Sequence, residues 1–324
     1  MRTMRFRALL VLVASFALVA AACSDNSSSS TTSSGTGSSG SASDTVCSTA
    51  DTSTGDALAK VCESGTLRVA TDPKYKPQSW YDVQAGQWNG FDVEVAQEIA
   101  KRLGVTAELQ AQKWAVITAG SWNDRWDVSV GSMTDTVDRE KLFYFTPAYY
   151  YTPAVMSVAN DNTTITGPAD LTGKTVCVGV QTTYQDYVQG TLVLGSAAPP
   201  FDFQIHDAKL NTYDTDTDAL DNLALGDGVR CDSAISAQQT IQAFIDDGGA
   251  IKIVGDPLYY EPLAIAFDKN APTDEQTLSE AVGQIVDDMH ADGTLSALSK
   301  KWYGGVDWTT TASESSGASA SPSA

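Results

Sequence analysis

Residues 127–150, DVSVGSMTDTVDREKLFYFTPAYY, decide how the rest of the chain is read. Positions 127–131 alternate small and β-branched side chains, the pattern of a short buried strand. Ser132, Met133 and Thr134 end that strand with hydroxyls and free backbone N–H groups. Arg139 follows five residues after Thr134, ahead of an apolar-aromatic run at 142–145. A strand end, hydroxyl donors and one guanidinium make a receptor for a carboxylate, which the planar fork of arginine pairs with bidentately. A lone arginine in such a place is more often a surface cap on a turn, so the reading rests on the remainder of the chain.

Upstream, 67–71 (LRVAT) reads as a strand followed by TDPKYKP. Asp72 therefore sits at a strand's carboxyl end, where open α/β folds place ligand groups. In 90–103 (GFDVEVAQEIAKRL), Phe91, Val95 and Ile99 recur at helical spacing, and Ala96, Ala100 and Leu103 fill the neighbouring row. Gly104 ends this helix. A strand at 105–110 and a helix starting at 114–119 complete the alternation expected of a largely parallel sheet.

Downstream, 154–158 is a strand leaving this unit, 168–171 a helical turn and 174–180 (KTVCVGV) a strand. Gln181, Thr182 and Thr183 follow, then a helix from about 184. Threonine at a helix start caps free N–H groups, and the same groups can hold an anion. Pro199 and Pro200 break any helix, and 201–206 is expected as a strand. Helices are expected at 215–225 and 237–245, and strands at 231–235, 251–254 and 263–267. Closing helices follow at 273–289 and 295–303. The strand at 263–267 is expected to return to the first unit, giving one lobe built from both ends of the chain and another from its middle.

The chain has 324 residues, with 40 acids against 20 Lys and Arg and a net charge of −20. That balance argues against nucleic acid and against an anionic membrane as partners of the folded part. Between 201 and 275 there are 15 acids and 4 bases, read as a solvated face. At the N-terminus, Arg2, Arg5 and Arg7 precede an apolar run at 8–22, the pattern of a secretion signal. The run ends Ala20-Ala21-Ala22-Cys23, which resembles the lipobox of bacterial lipoproteins and would make Cys23 the lipidated first residue; ordinary cleavage leaving an odd cysteine is the alternative. Residues 24–43 are almost wholly Ser, Thr and Gly, the composition of a flexible tether.

Four cysteines remain, Cys47, Cys62, Cys177 and Cys231, which allow three pairings. Cys47–Cys62 and Cys177–Cys231 are favoured. The first would pin the N-terminal segment; the second would join two expected strands and close a loop of about 54 residues, contributing about 4 kcal/mol in the chain-entropy model. Without a C-x-x-C, and with His206 and His290 far apart, neither a metal nor another cofactor is expected.

Five stretches in order, GTLRVATDPKYKP, GFDVEVAQEIAKRLG, SMTDTVDREKLFYFTPAYY, DLTGKTVCVGV and DGTLSALSKKWYGG, resemble the bacterial family-3 extracellular solute-binding proteins, the polar amino-acid receptors of ABC importers. The likeness runs from about 65 to about 305. It implies an α/β fold of the type II periplasmic-binding-protein kind: two lobes, each a mostly parallel sheet flanked by helices, joined by two crossover strands. The implied division is a lipoprotein signal peptide at 1–22, a tether with a cysteine-containing segment at 23–61, a first lobe from 62–156 and 260–306, a second lobe at 157–259 and a disordered tail at 307–324.

The resemblance also implies roles. Arg139 would grip the ligand α-carboxylate, Thr134 would donate to it, and the Ser132 carbonyl would accept from the α-amino group. Asp72 would lie near the ligand side chain, Tyr75 and Trp114 would sandwich it, and Thr182 and Thr183 would be second-lobe donors. The family's usual aspartate for the α-ammonium falls on Ala237, and Gln78 replaces the usual Phe after Pro77. Either another acid substitutes, or the ligand is N-substituted, or it is not an α-amino acid. The expectation is a monomeric, lipid-anchored receptor on the extracytoplasmic face of the membrane, delivering a carboxylate-bearing solute to ABC importer permease subunits. A sensory receptor and a dehydratase-like enzyme on the same fold are the rivals.

Overall fold

The computed structural model describes residues 45–310. The expected signal peptide, Cys23, the tether up to 44 and the tail from 311 lie outside the described residues.

Two helices come first, α1 (Val46–Thr49) and α2 (Ala57–Ser64). Strand β1 (Thr66–Thr71) follows, then a small antiparallel sheet of β2 (Lys74–Tyr75), β3 (Ser79–Asp82) and β4 (Gln87–Asn89). Helix α3 (Phe91–Leu103), β5 (Thr106–Ala111), α4 (Trp114–Thr118), β6 (Val128–Thr134), β7 (Phe143–Phe145) and β8 (Tyr150–Ala159) continue the chain. The second lobe holds β9 (Thr175–Gly179), α5 (Thr183–Gln189), β10 (Lys209–Tyr213), α6 (Asp216–Leu223), β11 (Ser233–Ala237) and α7 (Gln238–Asp246). Strand β12 (Ile251–Asp268) returns to the first lobe, which α8 (Gln276–Ala291) and α9 (Thr294–Trp302) close.

One sheet runs through both lobes in the order β10-β9-β11-β8-β12-β6-β1-β5, with β7 beside β12. Pairs within each lobe are parallel: β5–β1–β6 in the first, β10–β9–β11 in the second. Crossover strands β8 and β12 run antiparallel to each other and to their neighbours. The stretches 251–254 and 263–267, expected as separate strands, are the two ends of one 18-residue strand. Its ladder with β8 runs from Ile251↔Ala159 to Leu263↔Tyr150 and shifts register between Val254 and Tyr259. Two adjacent strands with an irregular ladder are the kind of waist at which a few residues can absorb a hinge rotation.

Helix α3 illustrates how sequence sets the first lobe. Phe91, Val95, Ile99 and Leu103 are fully buried, and Ala96 and Ala100 let the helix lie close to the sheet. Fully burying each large side chain contributes roughly 1.5–3 kcal/mol. Gly90 caps its start at φ 128°, where a Cβ would come within 2.2 Å of the Gln78 carbonyl oxygen. Asp92, in the first turn, points inward and is held by Tyr149 and Ser132; burial pushes its pKa up to about 6.

The folded body is longer than expected at both ends. Within 45–61, expected as tether, Ala57 and Val61 enter the first-lobe core, and the Ala57 N–H donates to the Asp274 carbonyl. At the other end, Trp308 packs on that core, its N–H donates to Ser299 Oγ, and its carbonyl accepts from Tyr151 N–H. The strand expected at 201–206 is absent: these residues are irregular, and Phe201 and Phe203 pack on Tyr187 without a ladder partner. Lys209–Tyr213 supplies the strand instead. Disulfides join Cys47 to Cys62 and Cys177 to Cys231, the pairing favoured from the sequence.

Candidate functional site

Because β1 and β6 are parallel neighbours, their carboxyl ends reach the same edge of the sheet. Asp72, Ser132 and Thr134 thereby meet in a cleft between the lobes. All eight residues singled out from the sequence line it: Asp72, Tyr75, Trp114, Ser132, Thr134, Arg139, Thr182 and Thr183.

Arg139, 8% exposed, stands in a single helical turn after β6. Its Nη1 donates to the Thr134 carbonyl at 2.9 Å and its Nη2 to the Gln181 carbonyl, from the other lobe, at 2.9 Å. The guanidinium carbon lies 5.3 Å from the centroid of the Trp114 ring. Among the described residues no carboxylate forms an ion pair with it, and burial pulls its pKa below the ordinary value. A buried charge without a counter-charge is costly.

Gln181 is the second lobe's contact point. Held at φ 59°, its carbonyl also accepts from Trp114 Nε1 at 3.1 Å, and its side-chain oxygen accepts from Thr118 Oγ1 at 2.7 Å. Further bonds cross the cleft rim, from Val137 N–H to the Val193 carbonyl and from Gly195 N–H to the Asp135 carbonyl. Ion pairs Lys76–Asp247 at 3.0 Å and Lys113–Asp214 at 2.7 Å join them. The lobes are closed on one another.

Not every hydroxyl at the cleft is free to donate into it. Ser132 Oγ turns back to Asp92 at 2.8 Å and Tyr150, and its N–H donates to Tyr149. Its φ of 56° is a strained conformation for serine, and β12 shifts register opposite it, between Ala264 and Ala266. Thr182 Oγ1 donates to the Gly179 carbonyl at 2.8 Å and accepts from Gln185 N–H, capping α5. Thr134 Oγ1, at 2.8 Å, and Thr183 Oγ1 both donate to Glu261 Oε1.

Glu261 and Asp216 also line the cleft, although both belong to the acidic stretch 201–275 expected as a solvated face. Asp216 accepts from Gly179 N–H at 3.1 Å and from Ser236 Oγ at 2.7 Å. Burial, reinforced by the negative charge of Glu261 and Asp72, pushes its pKa up to about 7. Asp72, one oxygen of which accepts from Lys74 N–H, is pushed up to about 6 by burial. Burial also raises Glu261. Asp216 follows the carboxyl end of β10, a strand not expected from the sequence, so its place was hidden; Glu261 is at least a lone acid inside an apolar run. Ala237 is fully buried. Arg139 and Glu261 attract one another across the cleft, but among the described residues neither forms an ion pair, which leaves spare donors on the cation and spare acceptors on the carboxylate and suits a small molecule bearing both charges.

Residues 67–305 match the model of the bacterial extracellular solute-binding proteins, family 3. The L-cystine-binding protein TcyJ of Escherichia coli K12 is 30% identical over 251 residues, 76% of this chain and 86% of that one. Among solved structures, a mutant of ArgBP from T. maritima superposes with a TM-score of 0.65 at 26% identity, covering 76% of this chain and 99% of the other. The cyclohexadienyl dehydratase of Pseudomonas aeruginosa is 35% identical over only 92 residues, 28% of this chain. With the family model spanning most of its length and the matching two-lobed cleft, this chain belongs to the bacterial extracellular solute-binding proteins, family 3.

Proposed function

We propose that the protein is a lipid-anchored extracytoplasmic receptor that closes on an amino acid and delivers it to the permease of an ABC importer. Arg139 grips the ligand carboxylate, Trp114 and Tyr75 flank the ligand, and backbone groups at the end of β6 complete the first-lobe wall. The observation that carries this reading is Arg139 itself: buried, bonded to carbonyls of both lobes and lacking a carboxylate partner among the described residues. A ligand carboxylate supplies the missing charge, and bidentate pairing is the strongest form of that contact. Relatives that bind cystine support the ligand class, and the lipobox-like segment ending at Cys23 supports the anchor. Among the described residues no helix is long and apolar enough to cross a membrane. Micromolar capture requires about −8 kcal/mol, within reach of one bidentate pair, several hydrogen bonds and a buried aromatic contact.

The test is a thermal-shift screen of the protein against the common amino acids and cystine, with mass spectrometry of whatever co-purifies. At least one amino acid is expected to raise the melting temperature of the wild type and not of Arg139→Ala. Equal stabilisation of both proteins would remove Arg139 from the site. A second reading, a dehydratase-like enzyme, draws on one observation, an acid with a pKa near 7 in the cleft, suited to general acid–base work. Chemical turnover of the stabilising compound would establish it.

A further inference from the structure

Glu261 is 1% exposed, lines the cleft, and has one oxygen, Oε2, that is buried and, among the described residues, has no hydrogen-bond partner. Its other oxygen receives both threonine hydroxyls, Thr134 from the first lobe and Thr183 from the second. A hydroxyl has one proton. With both protons directed at Glu261, Thr134 and Thr183 retain only lone pairs to offer a ligand. The cleft therefore presents a cluster of acceptors here: a carboxylate oxygen and two hydroxyl oxygens. A carboxylate would be repelled from that cluster, whereas an ammonium carries three protons and a positive charge.

Sheet register shows why the acid stands on β12. Ala237 on β11 lies opposite Ala154 on β8, and Glu261 on β12 lies opposite Thr152, also on β8. Thr152 and Ala154 are two residues apart, so all four side chains share one face of the sheet. An acid on β12 can thus serve the region of the cleft beside which the alanine leaves no charge. The other cleft acids are less suited. Asp216 has both oxygens engaged, by Gly179 and Ser236, and Asp72 lies at the end of β1.

We propose that Glu261, with the hydroxyl oxygens of Thr134 and Thr183, is the receptor for the ammonium group of the bound amino acid. This rests on the function proposed above and narrows it: the ligand carries a free, protonated amine, so N-acylated amino acids and plain carboxylic acids are excluded. Because β12 is a crossover strand and the two threonines come from different lobes, the ammonium also becomes part of what holds the lobes together.

The experiment is calorimetric titration of wild type and Glu261→Gln with L-arginine, L-cystine and every other common amino acid that shifts the wild-type melting temperature. Each is paired with its N-acetyl derivative and with the hydroxy acid lacking the amine. For the wild type the free amino acid is expected to bind at least about 30-fold more tightly than either analogue. In Glu261→Gln that preference is expected to shrink to within a few-fold, through weaker binding of the amino acid alone. A purely structural role would weaken amino acid and analogues alike and leave the preference intact, which would overturn the proposal. Should the variant fail to fold, the wild-type comparison still decides: an N-acetyl derivative or hydroxy acid that binds as well as the amino acid refutes an ammonium receptor at Glu261. Failure of every amino acid and every analogue to bind would instead remove the proposed function itself.

Discussion

On the first-lobe wall of the cleft, Arg139 commits two donors to backbone carbonyls and, among the described residues, pairs with no carboxylate. On the wall formed by β12 and the second lobe, Glu261 and Asp216 meet hydroxyls and a backbone N–H but, among the described residues, form no ion pair. The first wall has spare hydrogen-bond donors and positive charge; the second has spare acceptors and negative charge. Arg139 and Glu261 feel each other's charge, yet among the described residues no ion pair joins the two walls, although the lobes are closed. A protein stabilised for its own sake would pair such groups or remove them. Keeping them apart suits the proposed amino-acid ligand, which would enter with a carboxylate at one end and an ammonium at the other.

The largest effect should come from breaking the cationic wall. Removing one partner of a buried charge pair costs about 2–5 kcal/mol, so Arg139→Ala should weaken amino-acid binding at least about 30-fold in calorimetry. Arg139→Lys keeps the charge but loses the fork, and should fall between the wild type and the alanine variant. A lysine variant as weak as the alanine variant would show that geometry, rather than charge, dominates this wall.

The cleft acids of both lobes can be tested through pH without a ligand. Asp216 is pushed up to about 7 and Asp72 to about 6, against about 4 for an unfolded carboxylate. Below pH 4 each is protonated in both states. Between about 4 and 7 the unfolded chain ionises first, so stability falls as pH rises through that window. Asp92 and Asp135 near 6 and Glu275 near 8 act with the same sign. Asp292 and Asp307, held down to about 2, lose their contribution only in stronger acid. The ligand-free protein should therefore melt several degrees higher at pH 5 than at pH 8, and Asp216→Asn should narrow that gap by about 3 °C. An unchanged gap would mean that Asp216 ionises as freely in the folded protein as in the unfolded chain.

The smallest effect concerns the seam between the walls. Trp114→Phe removes the indole donation to Gln181 while keeping an aromatic face beside Arg139. Losing one such bond costs about 1 kcal/mol, so binding should weaken roughly fivefold. An unaltered affinity would show that this bond does not contribute to closure with ligand bound.

The cationic wall was legible in the sequence because its parts are close together: strand, hydroxyls and guanidinium fall within residues 127–139. Asp72 was legible from its place after a strand. The anionic wall was not, because the burial of Glu261 is decided by Thr134 and Thr183, which lie 127 and 78 residues away in the chain. No local pattern reports such neighbours, and a count of acids over 201–275 averages Glu261 with residues that face water. Thr134 and Thr183 were found, but the direction in which their hydroxyls donate was not. The expected strand at 201–206 failed for a related reason. Phe201, Phe203 and Ile205 alternate as in a strand, and they do pack on the second-lobe core, but no neighbouring backbone completes a ladder. Alternation identifies the face that is covered, not the hydrogen bonds that make a sheet.

A crystal structure of the protein with the most strongly stabilising amino acid would show which charge of the ligand meets which wall. The ligand carboxylate is expected in bidentate contact with Arg139 at about 2.8 Å, with its ammonium directed at Glu261. A ligand lying the other way round, or one bound without touching Arg139, would contradict it.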